Sequence, residues 1–319
     1  MDKLTDRKKI SITTGCYNEE GNLEELYNRI VSLFKKHPEY DYEIIVADNN
    51  SEDKSRDILR KLASQDTNFK AIFNARNYGH IRSPYNAFLR ATGDAVVMMC
   101  SDLQEPPEVI EQFIKKWEEG YDVVVGVRSD TKSSKLLELM RACYYLTLRK
   151  FSDSTEVISK FTGFGLYSKK FQDACKCYHD PYPYFRGMVS EIGLKRAEVP
   201  FVQDKRKYGI TKNNFFTLYD MAMTGFVNHT RMPLRLAVFS GFIIALMSLF
   251  VAFVYMVYKI VMWDSFSVGL APVAIGLFFF SAIQLIFIGV LGEYLGAVWI
   301  QVKQQPLVIE DELLNFDSK

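Results

Sequence analysis

The sequence predicts an α/β protein with a Rossmann-like, mostly parallel sheet, followed by a C-terminal two-helix transmembrane hairpin. Two observations support this fold class. Between residues 10 and 126, short apolar segments alternate with amphipathic ones, which is the pattern of a sheet covered by helices on both faces. From Leu236 to Tyr258 and from Ser265 to Gly292, the chain contains no Asp, Glu, Lys, Arg or His.

The strands of the predicted sheet are short apolar runs, and helix-start signals mark the segments between them. Five strands are expected at residues 10–14, 42–47, 69–73, 95–99 and 121–126. Helices are expected at residues 22–37, from Ser51 onward, near residues 83–91 and at residues 106–119. Ser51 is a favourable capping residue, and Pro106 with Pro107 suits the first turn of a helix.

The two uncharged runs near the C-terminus are 23 and 28 residues long. A helix needs about 20 apolar residues to cross the hydrocarbon core of a bilayer. Both runs therefore predict transmembrane helices, and the alternative is a pair of buried core helices. Apolar runs of this length are rare in the cores of soluble proteins, which favours the membrane interpretation.

The charges beside these runs predict their orientation. Arg231 and Arg235 precede the first run and Lys303 follows the second, whereas the connection contains only Lys259 among basic residues. Positive charge gathers on the cytoplasmic side of membrane proteins. We therefore expect a multi-pass protein of the cytoplasmic (inner) membrane, with both termini and the α/β domain cytoplasmic. No apolar stretch follows Met1, so no signal peptide is expected.

Four regions follow from this pattern. They are an α/β domain at 1–212, a juxtamembrane amphipathic segment at 213–232, two transmembrane helices within 233–300 (about 236–258 and 268–292), and a tail at 301–319. Residues 135–151 form a basic amphipathic pattern, which suits either a membrane surface or ordinary packing on the sheet. The apolar segment 215–226 is expected at the membrane interface. Gly289, Gly292 and Gly296 suit close helix packing, which is compatible with a homo-oligomer.

Composition excludes several classes of function. The net charge of +1 gives no strong attraction to nucleic acid. The five cysteines form no C-x-x-C pair and the four histidines are scattered, so neither a disulfide framework nor a zinc site is expected.

Polar residues cluster where the predicted strands end. Asn18 and Glu19 follow the first strand, Asp48 the second, Asp102 the fourth and Arg128 the fifth. Ligands of parallel α/β sheets bind outside the carboxyl ends of the strands. The pattern therefore predicts a binding or catalytic crevice at this edge, without identifying the ligand.

A set of short motifs stands in a fixed order along nearly the whole chain. The motifs are GCYNE at 15–19, DNNSED at 48–53, RNYG at 76–79, CSDLQEPPE at 100–108, RG at 186–187, RKYGITK at 206–212, GEYLG at 292–296 and QP at 305–306. In this order they resemble glycosyltransferase family 2, in its branch of polyprenyl-phosphate and dolichyl-phosphate sugar transferases.

This resemblance implies a nucleotide-sugar fold of the GT-A type and a role in cell-envelope glycan synthesis. It implies inverting transfer of a sugar from a nucleotide-diphosphate sugar to polyprenyl phosphate, with bacterial undecaprenyl phosphate as the expected acceptor. A UDP-sugar is favoured as the donor, and GDP-mannose is the alternative. The expected cofactor is Mg²⁺ or Mn²⁺. The lipid phosphate is already anionic, so alignment and charge stabilisation would outweigh general-base catalysis.

The resemblance also implies the roles of individual residues. The residues expected to bind the nucleotide sugar are Tyr17, Asn18, Glu19, Asp48, Ser51, Arg76, Asn77, Arg206 and Lys212. The residues expected to act in catalysis are Asp102, Arg128 and Arg141, with Arg141 on the acceptor phosphate. Asp102 and Gln104 are the expected metal ligands, because Mg²⁺ and Mn²⁺ prefer oxygen.

The chain departs from the family pattern in three places. Cys100 stands where an Asp is usual, Asn49 replaces the second Asp of the D-D turn, and Gly163-Phe164-Gly165 replaces an Asp-x-Arg element. Two other functions therefore stay open: a transferase acting on a lipid-linked glycan, and a catalytically inactive membrane scaffold. The absence of a Q-x-x-R-W motif argues against a processive polymer synthase.

Overall fold

The structure is a computed structural model that describes residues 7–129, 158, 160–178, 180, 182–204, 232–262, 270–303 and 305–316. The predicted helix at 135–151, the amphipathic segment at 215–226 and the site residues Arg141, Arg206 and Lys212 lie outside the described residues.

Strands and helices alternate through the first part of the chain, as the sequence predicts. The elements are β1 (Lys9–Cys16), α1 (Leu23–Lys36), β2 (Asp41–Asp48), α2 (Ser55–Gln65), β3 (Phe69–Asn74), α3 (Gly79–Arg90), β4 (Ala95–Met98), a 3₁₀ turn (Pro107–Val109), α4 (Ile110–Glu118) and β5 (Val123–Arg128). They continue with β6 (Phe161–Ser168), α5 (Lys169–Lys176), α6 (Phe185–Glu191), β7 (Arg196–Phe201), α7 (Met232–Val261), α8 (Leu270–Val302) and β8 (Glu310–Leu314).

The strands form one eight-stranded sheet in the order β7-β5-β6-β4-β1-β2-β3-β8. The pairs β1–β2, β1–β4, β2–β3 and β5–β7 are parallel, whereas β6 is antiparallel to β4 and β5, and β8 is antiparallel to β3. The predicted α/β class with a mostly parallel sheet is confirmed.

Helices cover both faces of the sheet, so its central strands are buried on each side. One core contains residues of α1, α2 and α4, such as Ile30, Leu59 and Phe113. The other contains residues of α3, α5 and α6, such as Phe88 and Phe171. This two-sided burial explains why the strands are almost continuously apolar.

Two local expectations were wrong in detail. The second helix begins at Ser55 with Lys54 as its N-cap residue, so Ser51 does not cap it. Ser51 instead accepts a hydrogen bond from the main-chain N–H of Asn18, at 2.9 Å. The third helix begins at Gly79, ahead of the expected start near Ser83.

The two C-terminal helices, α7 and α8, are 30 and 33 residues long and contact one another. Among the described residues, one segment is long and apolar enough to cross a membrane, Phe279–Val302. Its mean hydropathy is 1.8, and its most apolar stretch is not buried against the rest of the protein. Its 24 residues would extend about 36 Å as a helix. The apolar part of α7, Leu236–Ser248, is shorter. The predicted hairpin of two spans stays a prediction.

The residues after α8 return to the sheet. β8 pairs with β3 at the sheet edge, with Ala71 opposite Leu314 and Phe73 opposite Glu312. This strand was not predicted, because its sequence EDELL is mostly acidic and lacks an apolar run.

Candidate active site

The site lies where the strand order reverses. β2 and β3 continue from β1 in one direction, whereas β4 lies on the other side of β1. A crevice forms at such a point, outside the carboxyl ends of the two diverging strands. The loops after β1 and β4 meet there, and Ser101 Oγ donates a hydrogen bond to the carbonyl oxygen of Gly15 at 2.9 Å. A Cβ atom on Gly15 would lie 2.6 Å from Pro84 Cγ, so the close approach of α3 requires glycine.

The loops after β1 and β2 are joined by reciprocal hydrogen bonds. Ser51 Oγ accepts from the N–H of Asn18, and Asn18 Oδ1 accepts from the N–H of Glu52 at 2.8 Å. Asn18 and Asn50 have φ angles of 56° and 63°, in the left-handed region that asparagine tolerates better than most residues. These two turns therefore form one unit, which supports the proximity of Asn18, Ser51 and Asp48.

Asp48 is the most deeply buried carboxylate of this unit. Its side chain is fully buried and accepts from the N–H of Ser51 at 3.2 Å, while Arg56 Nε lies 3.5 Å from Oδ2. Burial raises the pKa of Asp48, and the contacts with Ser51 and Arg56 offset this only in part. A carboxylate has about four acceptor positions. Asp48 therefore retains capacity to accept hydrogen bonds from a ligand such as a base or ribose.

Asn49 connects this unit to the loop after β3. Its amide Nδ2 donates to Asn77 Oδ1 at 2.8 Å and to the carbonyl oxygen of Gly79 at 3.0 Å. Its Oδ1 accepts from the N–H of Tyr78 at 2.8 Å. An aspartate has no donor for the first two contacts, so the departure from the D-D pattern has a structural reason. Asn49 holds the loop that carries Asn77.

Arg76 and Asn77 are exposed on this loop. The Arg76 guanidinium lies over the ring of Tyr78, 4.2 Å from its centroid. Tyr17 is half-buried in the loop after β1, and Glu19 is buried there. Asn22 Nδ2 donates to Glu19 Oε2 at 2.5 Å, so Glu19 also supports the start of α1.

On the other side of the crevice, Asp102 and Gln104 form a tight turn after β4. Asp102 Oδ1 accepts from the N–H of Gln104 at 3.1 Å, and Leu103 between them has a φ of 59°. The Gln104 side-chain amide donates to the carbonyl oxygen of Asp204 at 3.4 Å. The turn presents the partly exposed Asp102 carboxylate at the mouth of the crevice.

Glu105 supports this turn, although the sequence analysis assigned it no role. Its Oε2 accepts from the N–H of Cys100 at 2.8 Å, and its Oε1 accepts from the hydroxyl of Thr162 at 2.7 Å. Burial raises the pKa of Glu105, and these two hydrogen bonds counteract that rise. The negative charge of Glu105, together with that of Asp102, raises the pKa of the Cys100 thiol well above its usual range. Cys100 therefore stays a neutral thiol beside two carboxyl groups.

Arg128 reaches the same region from β5. Its Nη1 donates to Gln203 Oε1 at 2.9 Å, and the next residue, Asp204, donates its N–H to the carbonyl oxygen of Gln104 at 3.0 Å. The segment after β7 therefore holds Arg128 and the Asp102 turn together. Its two residues, Gln203 and Asp204, were not anticipated, because polar residues in a loop carry no distinctive sequence signal.

Arg186 and Arg56 are two further cations near the crevice. Arg186, at the start of α6, lies close enough to His80 that its charge, second to burial, lowers the pKa of His80. Its sequence motif was recognised, but no role was assigned to it. Arg56 was missed, since a single arginine in an amphipathic helix resembles an ordinary surface residue.

The residues present fit a divalent ion only in part. Within the described ranges, no group of three or more His, Cys, Asp or Glu could hold a metal ion. Mg²⁺ often takes one or two protein carboxylates and completes its shell with substrate phosphate and water. Asp102 fits this mode, and Gln104 adds at most its amide oxygen.

The predicted residues therefore fall into four groups. Ser51 is hydrogen-bonded to both Asn18 and Asp48, with Tyr17 and Glu19 in the loop after β1. Arg76 and Asn77 are exposed on the loop after β3. Asp102, Gln104 and Arg128 are gathered on the other side of β1. Arg141, Arg206 and Lys212 lie outside the described residues, so their places stay predictions.

Known proteins resemble this chain along most of its length. The uncharacterized glycosyltransferase YkcC of Bacillus subtilis is 31% identical over 309 residues, which cover 97% of this chain and 95% of that protein. The prophage bactoprenol glucosyl transferase homolog of Escherichia coli is 30% identical over 304 residues, covering 94% of this chain and 98% of that protein.

Among solved structures, glucosyl-3-phosphoglycerate synthase from Mycobacterium tuberculosis, in complex with Mn²⁺, UDP-glucose and phosphoglyceric acid, has a TM-score of 0.47 and 18% identity. The match covers 69% of this chain and 78% of that one.

The family model for glycosyl transferase family 2 matches residues 11–175, which run from within β1 to the end of β6 and into α5. This match covers more than half of the chain. Together with relatives that are at least 30% identical along nearly all of their length, it establishes that the chain belongs to glycosyl transferase family 2.

Proposed function

We propose that this glycosyltransferase moves a sugar from a nucleotide-diphosphate sugar to a polyprenyl phosphate, giving a polyprenyl-phosphate sugar for cell-envelope glycans. The observation that supports the proposal is the strand order at the crevice, in which β2 with Asp48 at its carboxyl end and β4 followed by Asp102 lie on the two sides of β1. Several relatives are named bactoprenol glucosyl transferases, which supports this acceptor and makes UDP-glucose the first donor to test.

The donor would lie along the crevice. Asp48 would accept hydrogen bonds from the base or ribose, with Asn18 and Ser51 holding the surrounding turns. Arg128 would contact the diphosphate or the sugar, since a guanidinium can make paired hydrogen bonds to phosphate. We propose the same contact region for Tyr17, Glu19, Arg76 and Asn77, and for Arg206 and Lys212 on the phosphate.

The reaction exchanges one bond for another at the anomeric carbon. An oxygen of the acceptor phosphate forms a bond to that carbon from the opposite face, and Arg141 would hold this phosphate. The bond from the anomeric carbon to the diphosphate breaks, and the nucleoside diphosphate leaves with the bonding electrons. Alignment and charge stabilisation would supply most of the rate enhancement.

Asp102, with the amide oxygen of Gln104, would hold Mg²⁺ or Mn²⁺. Such an ion, when bound, would neutralise the negative charge that develops on the leaving diphosphate. Glu105 would fix the turn through Cys100 and Thr162, and so hold the Asp102 carboxylate in position for the ion.

Membrane topology belongs to the same proposal. α8 would cross the bilayer together with α7, and the α/β domain and both termini would be cytoplasmic. The pairing of β8 with β3 supports this arrangement, because it places the sheet on the side where α8 ends. The proposed regions stay 1–212, 213–232, 233–300 and 301–319, and a homo-oligomer stays compatible with the glycines of α8.

The test is a transfer assay in detergent with undecaprenyl phosphate, labelled UDP-sugars and GDP-mannose, and Mg²⁺ or Mn²⁺. We expect a glycolipid from one donor, with a matching release of nucleoside diphosphate. Asp102→Ala should lower kcat/KM by about 1,000-fold, since it removes charge stabilisation at the leaving group.

Asp57→Ala is the matched control, because Asp57 is a carboxylate on α2 whose side chain is 83% exposed. This variant should keep full activity. If the unmodified protein forms no product with any donor beside an active reference enzyme, the proposal fails. A lipid-linked glycan acceptor or an inactive scaffold would then account for the site.

A further inference from the structure

The segment that follows the last helix is bound firmly to the sheet. Besides the β3–β8 pairing, the N–H of Ala75 donates to the carbonyl oxygen of Ile309 at 3.0 Å. Asn315 Nδ2 donates to the carbonyl oxygens of Ala63 and Phe69 at 2.7 and 2.8 Å. We refer to residues 305–316 as the docking segment.

Three acidic residues of the docking segment pair with the two helices that flank β3. Glu310 contacts Asn86 at 2.7 Å and Arg90 at 2.5 Å, both on α3. Asp311 and Glu312 lie 3.8 and 2.7 Å from arginines 56 and 60 of α2. The Glu310 side chain is only 14% exposed, so its ion pair is better shielded from solvent than most surface pairs.

The docking segment is also connected to the crevice by direct contacts. Arg82 Nη2 donates to the carbonyl oxygen of Pro306 at 2.6 Å, and its guanidinium lies 5.3 Å from the ring centroid of Tyr78. The N–H of Tyr78 donates to Asn49, which follows Asp48 in sequence. These contacts join the docking segment to the loop after β3, so the segment and the crevice belong to one rigid unit.

The connection from α8 to the docking segment is short. Only Lys303, Gln304 and Gln305 separate Val302, the last residue of α8, from Pro306. Four residue steps span at most about 14 Å. The end of the apolar segment 279–302 therefore lies within this distance of Pro306, whose carbonyl oxygen is bonded by Arg82 of α3. The other connection between the sheet and the long helices runs from the end of β7 to the start of α7 and has 30 residues, 202–231.

We propose that the docking segment is a tether that fixes the height and orientation of the crevice relative to the membrane surface. This inference rests on the proposed function, in which the acceptor phosphate is confined to that surface. A donor sugar that is held at a fixed height above the membrane meets the acceptor phosphate in one orientation. The effective concentration of the acceptor at the crevice is therefore higher than it would be for a freely moving domain. The tether acts on alignment, and it does not touch the reacting atoms.

The test is an insertion of about 12 Gly and Ser residues after Lys303, which adds roughly 20 Å of flexible reach while leaving the docking segment intact. The same insertion after Phe316 is the matched control, since it lies beyond the docking segment. Both proteins and the unmodified chain are placed in lipid nanodiscs that contain undecaprenyl phosphate. Glycolipid formation, UDP affinity and the thermal unfolding temperature are measured for each.

We expect the insertion after Lys303 to lower transfer by about tenfold, because a longer flexible connection reduces the effective concentration of the partner. UDP affinity should change less than about twofold, because no contact of the donor site is altered. The insertion after Phe316 should change neither. Transfer that persists at the unmodified rate after the Lys303 insertion would overturn the proposal. Parallel loss of UDP affinity would also overturn it, since the segment would then support the donor site itself.

A distance measurement separates this inference from the proposed function. A dye at position 61 on α2, where the Lys61 side chain is 59% exposed, transfers energy to labelled lipid headgroups. The Lys303 insertion should lower and broaden the transfer efficiency. An unchanged efficiency would contradict the tether, even if the unmodified chain made no glycolipid with any donor.

Discussion

Two buried carboxylates on the same strand differ sharply in their surroundings. Glu43 lies in the first half of β2 and Asp48 at its carboxyl end, and both side chains are fully buried. Burial alone would raise the pKa of each. At Glu43 the surrounding donors outweigh burial and lower the pKa to about 2, whereas at Asp48 burial dominates and the pKa is raised.

The difference comes from the number of donors around each group. Glu43 contacts Ser11 Oγ at 2.6 Å, the N–H of Thr92 at 2.7 Å, and the ammonium groups of Lys70 and Lys9 at 2.8 and 3.0 Å. Asp48 has the more distant contacts with Ser51 and Arg56. The satisfied carboxylate stabilises the fold, while the less satisfied one keeps acceptor capacity for a ligand.

The largest expected effect is on stability, at Glu43. Glu43→Gln should lower the free energy of unfolding by about 3 kcal/mol at pH 7, because the pKa difference between folded and unfolded states is lost. The folded pKa lies below the unfolded value of 4.5, so the stabilisation is present above that pH and declines as the pH falls toward 2. Urea unfolding of both proteins between pH 3 and 7 checks this.

Glu24→Gln is the control for that experiment, since Glu24 pairs with Lys61 on the surface and both side chains are more than half exposed. It should change stability by less than about 0.5 kcal/mol. A difference between wild type and Glu43→Gln that does not shrink at low pH would show that Glu43 acts through packing.

Glu105→Gln, on the other side of the crevice, should have an intermediate effect, and this effect should be on the rate of transfer. A glutamine there has one acceptor oxygen, so it can keep the N–H of Cys100 only by turning its amide N–H toward Thr162, whose hydroxyl must then accept instead of donate. We expect kcat to fall about tenfold, which corresponds to one buried hydrogen bond, with UDP affinity little changed. Steady-state kinetics and UDP titration separate the two quantities.

Glu108→Gln is the matched variant, three residues away and 58% exposed in its pair with Arg29. It should be indistinguishable from wild type in transfer. If Glu105→Gln is equally active, Glu105 does not position the Asp102 turn.

The smallest expected effect is on the affinity for the UDP-sugar, in the variant Asn49→Asp. Asn49→Asp removes the donor to Asn77 and Gly79, so the loop after β3 should loosen and UDP-sugar affinity should fall by about fivefold. Isothermal titration measures this change. Asn28→Asp, at an exposed position on α1, adds the same charge away from the crevice and should leave affinity unchanged. If both variants lost the same amount of UDP-sugar affinity, the added negative charge would be the cause, and the loosened loop would not.

The parts of the fold that the sequence predicts are those with a local signal. The alternation of apolar runs locates β1 to β5, and the Pro106-Pro107 pair locates the turn before α4. β8 could not be predicted, because an acidic strand gains its stability from arginines of α2 and α3 that are distant in sequence. Ser51 illustrates the same limit, since it was expected to cap a helix and instead joins two loops.

Candidate site residues can be predicted from the sequence when they come directly after a predicted strand. Asp48 and Asp102 were predicted this way, since parallel strands bring their carboxyl ends to one edge, and their role in the site stays a prediction. Glu105 and Gln203 were missed because their roles depend on partners more than 50 residues away, Thr162 and Arg128. The amide role of Asn49 was likewise invisible until its donors and acceptors were located.

The most direct test of the account is a titration of UDP and the UDP-sugar into wild type, Asp48→Asn and Glu43→Gln, beside their unfolding free energies. We predict that Asp48→Asn loses about tenfold in affinity, as expected for one charge-assisted hydrogen bond, with little loss of stability. Glu43→Gln should lose stability and keep its affinity while folded. If Asp48→Asn binds the nucleotide as wild type does, the carboxyl end of β2 is not the donor site and the account is contradicted.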